Sequence, residues 1–129
     1  MKRLVATLGI LLMTQSAAAD SYEEHDYILN CSGCHRTDGS GSRTVPPLGA
    51  MPELSGKPGA REYWIRVPGA AQAPLSDARL AALMNWLVER FAGERVEPAY
   101  TAKEVGELRR DPLRSPIERR NAILRQTHR

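Results

Sequence analysis

Cys31-Ser32-Gly33-Cys34-His35 is the stretch on which the reading of this chain turns. It holds the only two cysteines of the 129 residues and one of three histidines. Immediately before it, Tyr22 to Asn30 (YEEHDYILN) reads as a short helix, with acidic residues leading it where they suit the helix dipole. Tyr27, Ile28 and Leu29 are expected to give that helix its apolar side. After it, residues 38–69 hold six of the ten glycines and five of the nine prolines and show no strand period. This reads as a long irregular loop with one short helix near Ala60 to Arg66. A structureless loop of that length is uncommon in a compact domain, unless it wraps a bound group.

Two thiols two residues apart admit several chemistries. A thioredoxin-like pair needs a βαβ setting, and this chain has almost no strand signal. A structural zinc site needs four ligands, usually from two such pairs. A disulfide across two residues closes too short a loop to stabilise much. The histidine directly after the second cysteine completes C-x-x-C-H, the signature of covalent haem c attachment. Two thiols add to the two vinyl groups of the porphyrin, and two intervening residues let both sulfurs reach one edge of the ring. The next residue then brings its imidazole under the iron. Composition agrees. Aromatic residues are 5% of the chain, with a single Phe, and a domain this small buries little surface to begin with. Something other than side chains is expected to fill part of the interior.

Farther out, Ser76 caps the clearest helix. Leu80, Leu83, Met84, Leu87, Val88 and Phe91 follow the i, i+3, i+4, i+7 pattern of one face, and Gly93 stops it. Trp86 lies off the centre of that stripe, which points to a second contact surface. Thr101-Ala-Lys-Glu104 and Ser115-Pro-Ile-Glu118 both match the capping box. They predict two short helices, with Val105, Leu108, Leu113, Ile117 and Leu124 touching the body.

Met1-Lys2-Arg3, the apolar run from Leu4 to Met13 and the Ala17-Ala18-Ala19 end have the form of a secretory signal peptide over residues 1–19. The apolar run is shorter than the roughly 20 residues a membrane span needs. The expected mature chain therefore has no membrane span and is periplasmic. Residues 20–93 carry seven Lys/Arg against nine Asp/Glu, net −2, and residues 94–129 carry nine against six, net +3. Neither part has the concentrated basic patch that nucleic acid calls for. The basic tail is read as a solvated helical wrap.

The order of the first helix, CSGCH, RTDGSGS, VPPLGA and PLSDARLAALMNWLV resembles the class I monohaem c-type cytochromes over about Ser21 to Phe91. The resemblance implies an all-α cytochrome c fold over residues 20–93 around one haem c; the basic helical extension over residues 94–129 is an addition that the family's pattern does not require. It implies thioethers at Cys31 and Cys34 and His35 as proximal iron ligand. Pro46 or Pro47 would accept the imidazole hydrogen bond, and Trp86 would face the first helix near the cofactor. It further implies a monomer with transient redox protein partners, an electron carrier and not an enzyme. The donor would be a periplasmic dehydrogenase or similar protein, the acceptor a terminal oxidase or another cytochrome.

The family's distal methionine stands before a proline ahead of the last helix, and here that place is Val67-Pro68. Valine cannot bind iron. Met51, in front of Pro52, is the distal candidate. Met84 lies on the apolar stripe and reads as core. His25 reads as a solvated helix residue, and His128 lies at the frayed end. An open site, with water or Gln72 nearby, would instead make a protein that binds gas ligands or reduces peroxide. No loop histidine is present to act as a peroxidase base.

Overall fold

A computed structural model describes residues 21–126, so the expected signal peptide and His128 lie outside the described residues. Seven α-helices and one 3₁₀ helix follow in order: α1 Tyr22–Asn30, α2 Ser32–His35, the 3₁₀ helix Leu48–Glu53, α3 Ala60–Arg66, α4 Pro68–Ala71, α5 Asp77–Ala92, α6 Ala102–Leu108 and α7 Pro116–Leu124. Among the described residues there is no strand, and the protein is all-α. None of these helices is long and apolar enough to cross a membrane.

The helix ends follow from local chemistry. Ser21 caps α1 by accepting from Glu24 N at 3.2 Å, and Ser76 caps α5 by accepting from Arg79 N at 3.2 Å. Gly93 ends α5 in the left-handed conformation, φ 68°, which favours glycine. The loop is more ordered than its composition implies. The helix at Ala60–Arg66 is present, but the 3₁₀ turn over Leu48–Glu53 was not foreseen. It tolerates Pro52 because so short a helix asks little of its backbone donors.

α1 crosses α5 through aromatic rings. Tyr27, Trp86 and Phe91 lie with centroids 5.0–6.0 Å apart, distances at which tilted pairs attract beyond their area. Phe91 packs so closely on Gly39 that a Cβ there would collide with its ring. The apolar side expected of α1 is narrower than its sequence implies. Tyr27 is buried, while Ile28 and Leu29 are exposed. Successive residues turn by 100°, so three neighbours cannot share one face. The second buried position is instead Asp26, whose carboxylate meets Arg79 Nε at 3.0 Å and also its Nη2. Arg79→Ala leaves that carboxylate buried and unpaired. The expected loss is about 2 kcal/mol, below the 3–5 of an enclosed pair because the Arg79 side chain is 53% exposed. Urea unfolding of the variant against wild type measures it.

The extension packs on the body. Tyr100, Val105 and Ile123 are buried in the same core as α5. Asn85 fixes the return of the chain: its amide donates to Tyr100 O at 3.1 Å and accepts from Tyr100 N at 2.8 Å. Arg109 donates to the carbonyls of Ala71, Ala73 and Leu75. Gly106 lies so near Asp77 that a Cβ would strike its carboxylate. One expectation fails here. Ser115 makes no side-chain cap at α7, although Thr101 does so at α6, accepting from Glu104 N. Ile117 meets the body at the cavity but is 60% exposed, and the fully buried residue of α7 is Ile123.

Candidate functional site

One helical turn builds the centre of the site. Cys34 N and His35 N both donate to Cys31 O, at 3.1 and 3.0 Å. Residues i, i+3 and i+4 of a helix share a face, so Cys31, Cys34 and His35 come to the same side. No disulfide joins the two cysteines. Directly afterwards Arg36 takes φ 62°, the one positive φ among the described non-glycine residues. Backbone in that region is costly for a side chain this size. The buried Tyr27 hydroxyl holds the turn by donating to Arg36 O.

The following loop folds back over the histidine. Gly41 N donates to His35 O at 3.0 Å, and Ser42 N to Val45 O at 2.9 Å. This brings Pro46 and Pro47 into one cavity wall with His35. Burial lowers the His35 pKa, and the Pro46 carbonyl opposes that shift in part. The imidazole is therefore neutral at pH 7, the form that binds a metal. Its Nδ1 is buried and has no hydrogen bond of full geometry, so the Pro46 carbonyl acts on it as a neighbour rather than as a formed partner. Burial first, then the Asp26 carboxylate and Cys34, push the Cys31 thiol up to about 11.

The cavity measures about 350 Å³, within the range of ligand sites. Cys31, Cys34, His35, Pro46 and Pro47 form one part of its wall. Leu80, Leu83, Met84 and Leu87 of α5 form another. Met51, Leu54, Tyr63, Trp64 and Val67 add a third. Both methionines weighed as ligands thus line the cavity, and both are buried. Val67, which precedes Pro68, lines it too. Trp86 does not: it packs on Tyr27 and Phe91, so it faces α1 as expected but takes no part in the wall. Gln72 and His25 are exposed and also outside the wall.

Sequence reasoning did not place four contributors in this wall. Tyr63 and Trp64 lie in α3, and the Trp64 Nε1 is buried with no acceptor. Two adjacent aromatics in a chain with few of them were a usable signal. Ile117 and Arg120 come from α7, and no local pattern ties that helix to residue 31. Among the described residues, no three His, Cys, Asp or Glu side chains cluster to hold a metal ion by themselves. The site offers one neutral imidazole, two thiols and a mostly apolar enclosure. That donor set suits a large apolar group that brings most of its own metal ligands and is tied down through the thiols. No protein-family model matches the chain, and no curated protein matches it.

Proposed function

We propose that this protein is a periplasmic c-type cytochrome of the class I kind, an electron carrier with one covalently attached haem c. The observation that carries the reading is the single turn that aims Cys31, Cys34 and His35 into an apolar cavity of about 350 Å³. A haem held there supplies a one-electron iron couple. Cys31 and Cys34 would anchor it as thioethers, and His35 would ligate the iron through the nitrogen not facing Pro46. The unpaired Nδ1 could then donate to Pro46, the outer contact that orients a metal-bound imidazole and raises its basicity. Leu80, Leu83, Met84 and Leu87 would exclude water from the ring, which keeps the potential high and the ligands still.

A carrier needs only brief contact with its redox partners, through small interfaces. The wall holds no acid–base pair of the sort a peroxidase uses. A thiol–disulfide oxidoreductase is disfavoured by the raised Cys31 thiol, since reactive cysteines of that class have lowered pKa values.

The test is the absorption spectrum of protein purified from the periplasm, oxidised and reduced, with and without CO. A thioether-linked haem in low-spin form, indifferent to CO, is the expected result. Met51→Ala is expected to abolish the weak far-red band of methionine ligation and open the site to CO. Met84→Ala, at a position on the α5 stripe, is expected to keep the band and lose stability. A high-spin spectrum that shifts with CO in the wild type would support the open-site alternative, a haem protein that binds gas ligands or reduces peroxide. A colourless protein would overturn both.

A further inference from the structure

One charge lies inside the molecule where an apolar side chain would serve. Asp26 is 3% exposed and is the one buried charged residue among the described residues. Arg79 of α5 holds it with a fork, Nε to Oδ2 at 3.0 Å and Nη2 to Oδ1, the geometry of a strong charge-assisted pair. Stability alone is a weak reason for such a pair, because taking a carboxylate out of water costs about as much as the pairing returns. The two ends of the pair are unequal. The carboxylate is enclosed, whereas the Arg79 side chain is 53% exposed and its charge is screened by water and salt. The surplus field inside the protein is therefore negative. Both residues adjoin the cavity wall. Asn30 Nδ2 donates to Asp26 O at 2.8 Å, and Asn30 and Cys31, on the turn that follows Asp26, line the cavity. Leu80, next to Arg79, lines it from α5. The Cys31 thiol registers the field: after burial, the Asp26 carboxylate is the next cause that raises its pKa.

We propose that Asp26 is a fixed negative charge that lowers the reduction potential of the group bound in the cavity, and that Arg79 sets how much of that charge is felt. The inference rests on the haem reading, since it needs a one-electron centre anchored at Cys31. Reduction there adds one electron and moves no proton, so the centre gains one unit of negative charge while no bond forms or breaks. A nearby carboxylate disfavours that gain and favours the oxidised state; a cation does the opposite. The apolar wall from Leu80 to Leu87 raises the potential by excluding water, and Asp26 works against it from α1. Asp26 is not a ligand and gives up nothing in the reaction. It acts at a distance, through an enclosed region where charges are poorly screened.

The midpoint potential of the purified holoprotein at about pH 8, far above the ordinary aspartate pKa of about 3.9, tests this in wild type, Asp26→Asn, Arg79→Gln, Arg79→Lys and the double variant Asp26→Asn/Arg79→Gln. Asp26→Asn keeps the shape and removes the charge, and its potential is expected to rise. Arg79→Gln leaves the carboxylate unopposed, and its potential is expected to fall. Arg79→Lys keeps the cation and is expected to stay near wild type. The double variant is expected to lie between the two single ones. Each single shift is expected to be about three- to tenfold in the reduction equilibrium, and tenfold is about 59 mV for one electron. A pair that only pins α1 to α5 predicts a different pattern: Asp26→Asn and Arg79→Gln both melt lower, and their potentials do not move in opposite directions. That pattern overturns the inference. Should Asp26→Asn give no folded holoprotein, Arg79→Gln and Arg79→Lys decide the matter, because the Arg79 side chain lies half in solvent. A potential that Arg79→Gln leaves unchanged or raises then overturns it. A wild-type protein with no thioether-linked haem in its alkaline pyridine spectrum overturns the haem reading itself; a haem-bearing protein whose potential ignores both charges overturns this inference alone.

Discussion

The double variant Cys31→Ala/Cys34→Ala is expected to be recovered colourless and largely unfolded. The reason is the size of the space these residues border. A closed void costs about 24 cal/mol per Å³, so one of about 350 Å³ would cost about 8 kcal/mol. The cavity is only partly enclosed, which lowers that figure. It is still a large share of the 5–15 kcal/mol by which domains are stable. The chain has few large side chains with which to collapse into the space. Each single variant keeps one thiol and is expected to keep colour while melting at a lower temperature. Far-UV circular dichroism during a thermal scan reads the fold, and the visible spectrum reads the attachment. A colourless double variant that melts with the wild type would show that the core closes by itself, and the proposed role of the cavity would fall.

Truncation after Gly93 is expected to be nearly as damaging. The sequence divides at that glycine into an acidic body and a basic tail, but the core does not divide there. Tyr100, Val105 and Ile123 are 0–4% exposed and share the cluster of Leu80, Leu83 and Leu87. Removing them uncovers one side of α5 and takes Arg109 away from three carbonyls of the 71–75 segment. Ile123→Ala tests the same contact in the full chain. It is expected to cost 2–5 kcal/mol, the usual range for a buried Ile truncated to Ala. A melting point lower by about 4–8 °C for each kcal/mol would report it. A truncated protein within about 1 kcal/mol of wild type would mean that the extension only covers the surface.

Part of the molecule was legible because its rules are local. The caps at Ser76 and Thr101, the stop at Gly93 and the buried stripe of α5 depend on residues within about four positions of one another. So does the shared face of Cys31, Cys34 and His35, since one helical turn sets it. The short helix at Ala60–Arg66 was read for the same reason.

What failed depended on neighbours far along the chain. Asp26 is buried because Arg79, 53 residues away, meets it. Ile28 and Leu29 stay exposed because α5 has room for only one side of α1, and Tyr27 fills it. Ser115 was expected to cap α7 and does not, because its backbone there departs from the extended form that Ser21, Ser76 and Thr101 take. The sequence by itself determined the helical class, the shared face of Cys31, Cys34 and His35 and the identity of the residues on α5, because hydrophobic period and residue spacing are written in adjacent positions. Only the tertiary structure decided that Met51 and Met84 both line the cavity, that Trp86 does not, and that Arg120 of the tail stands in its wall. Those facts follow from how helices pack, and packing joins residues that no local pattern connects.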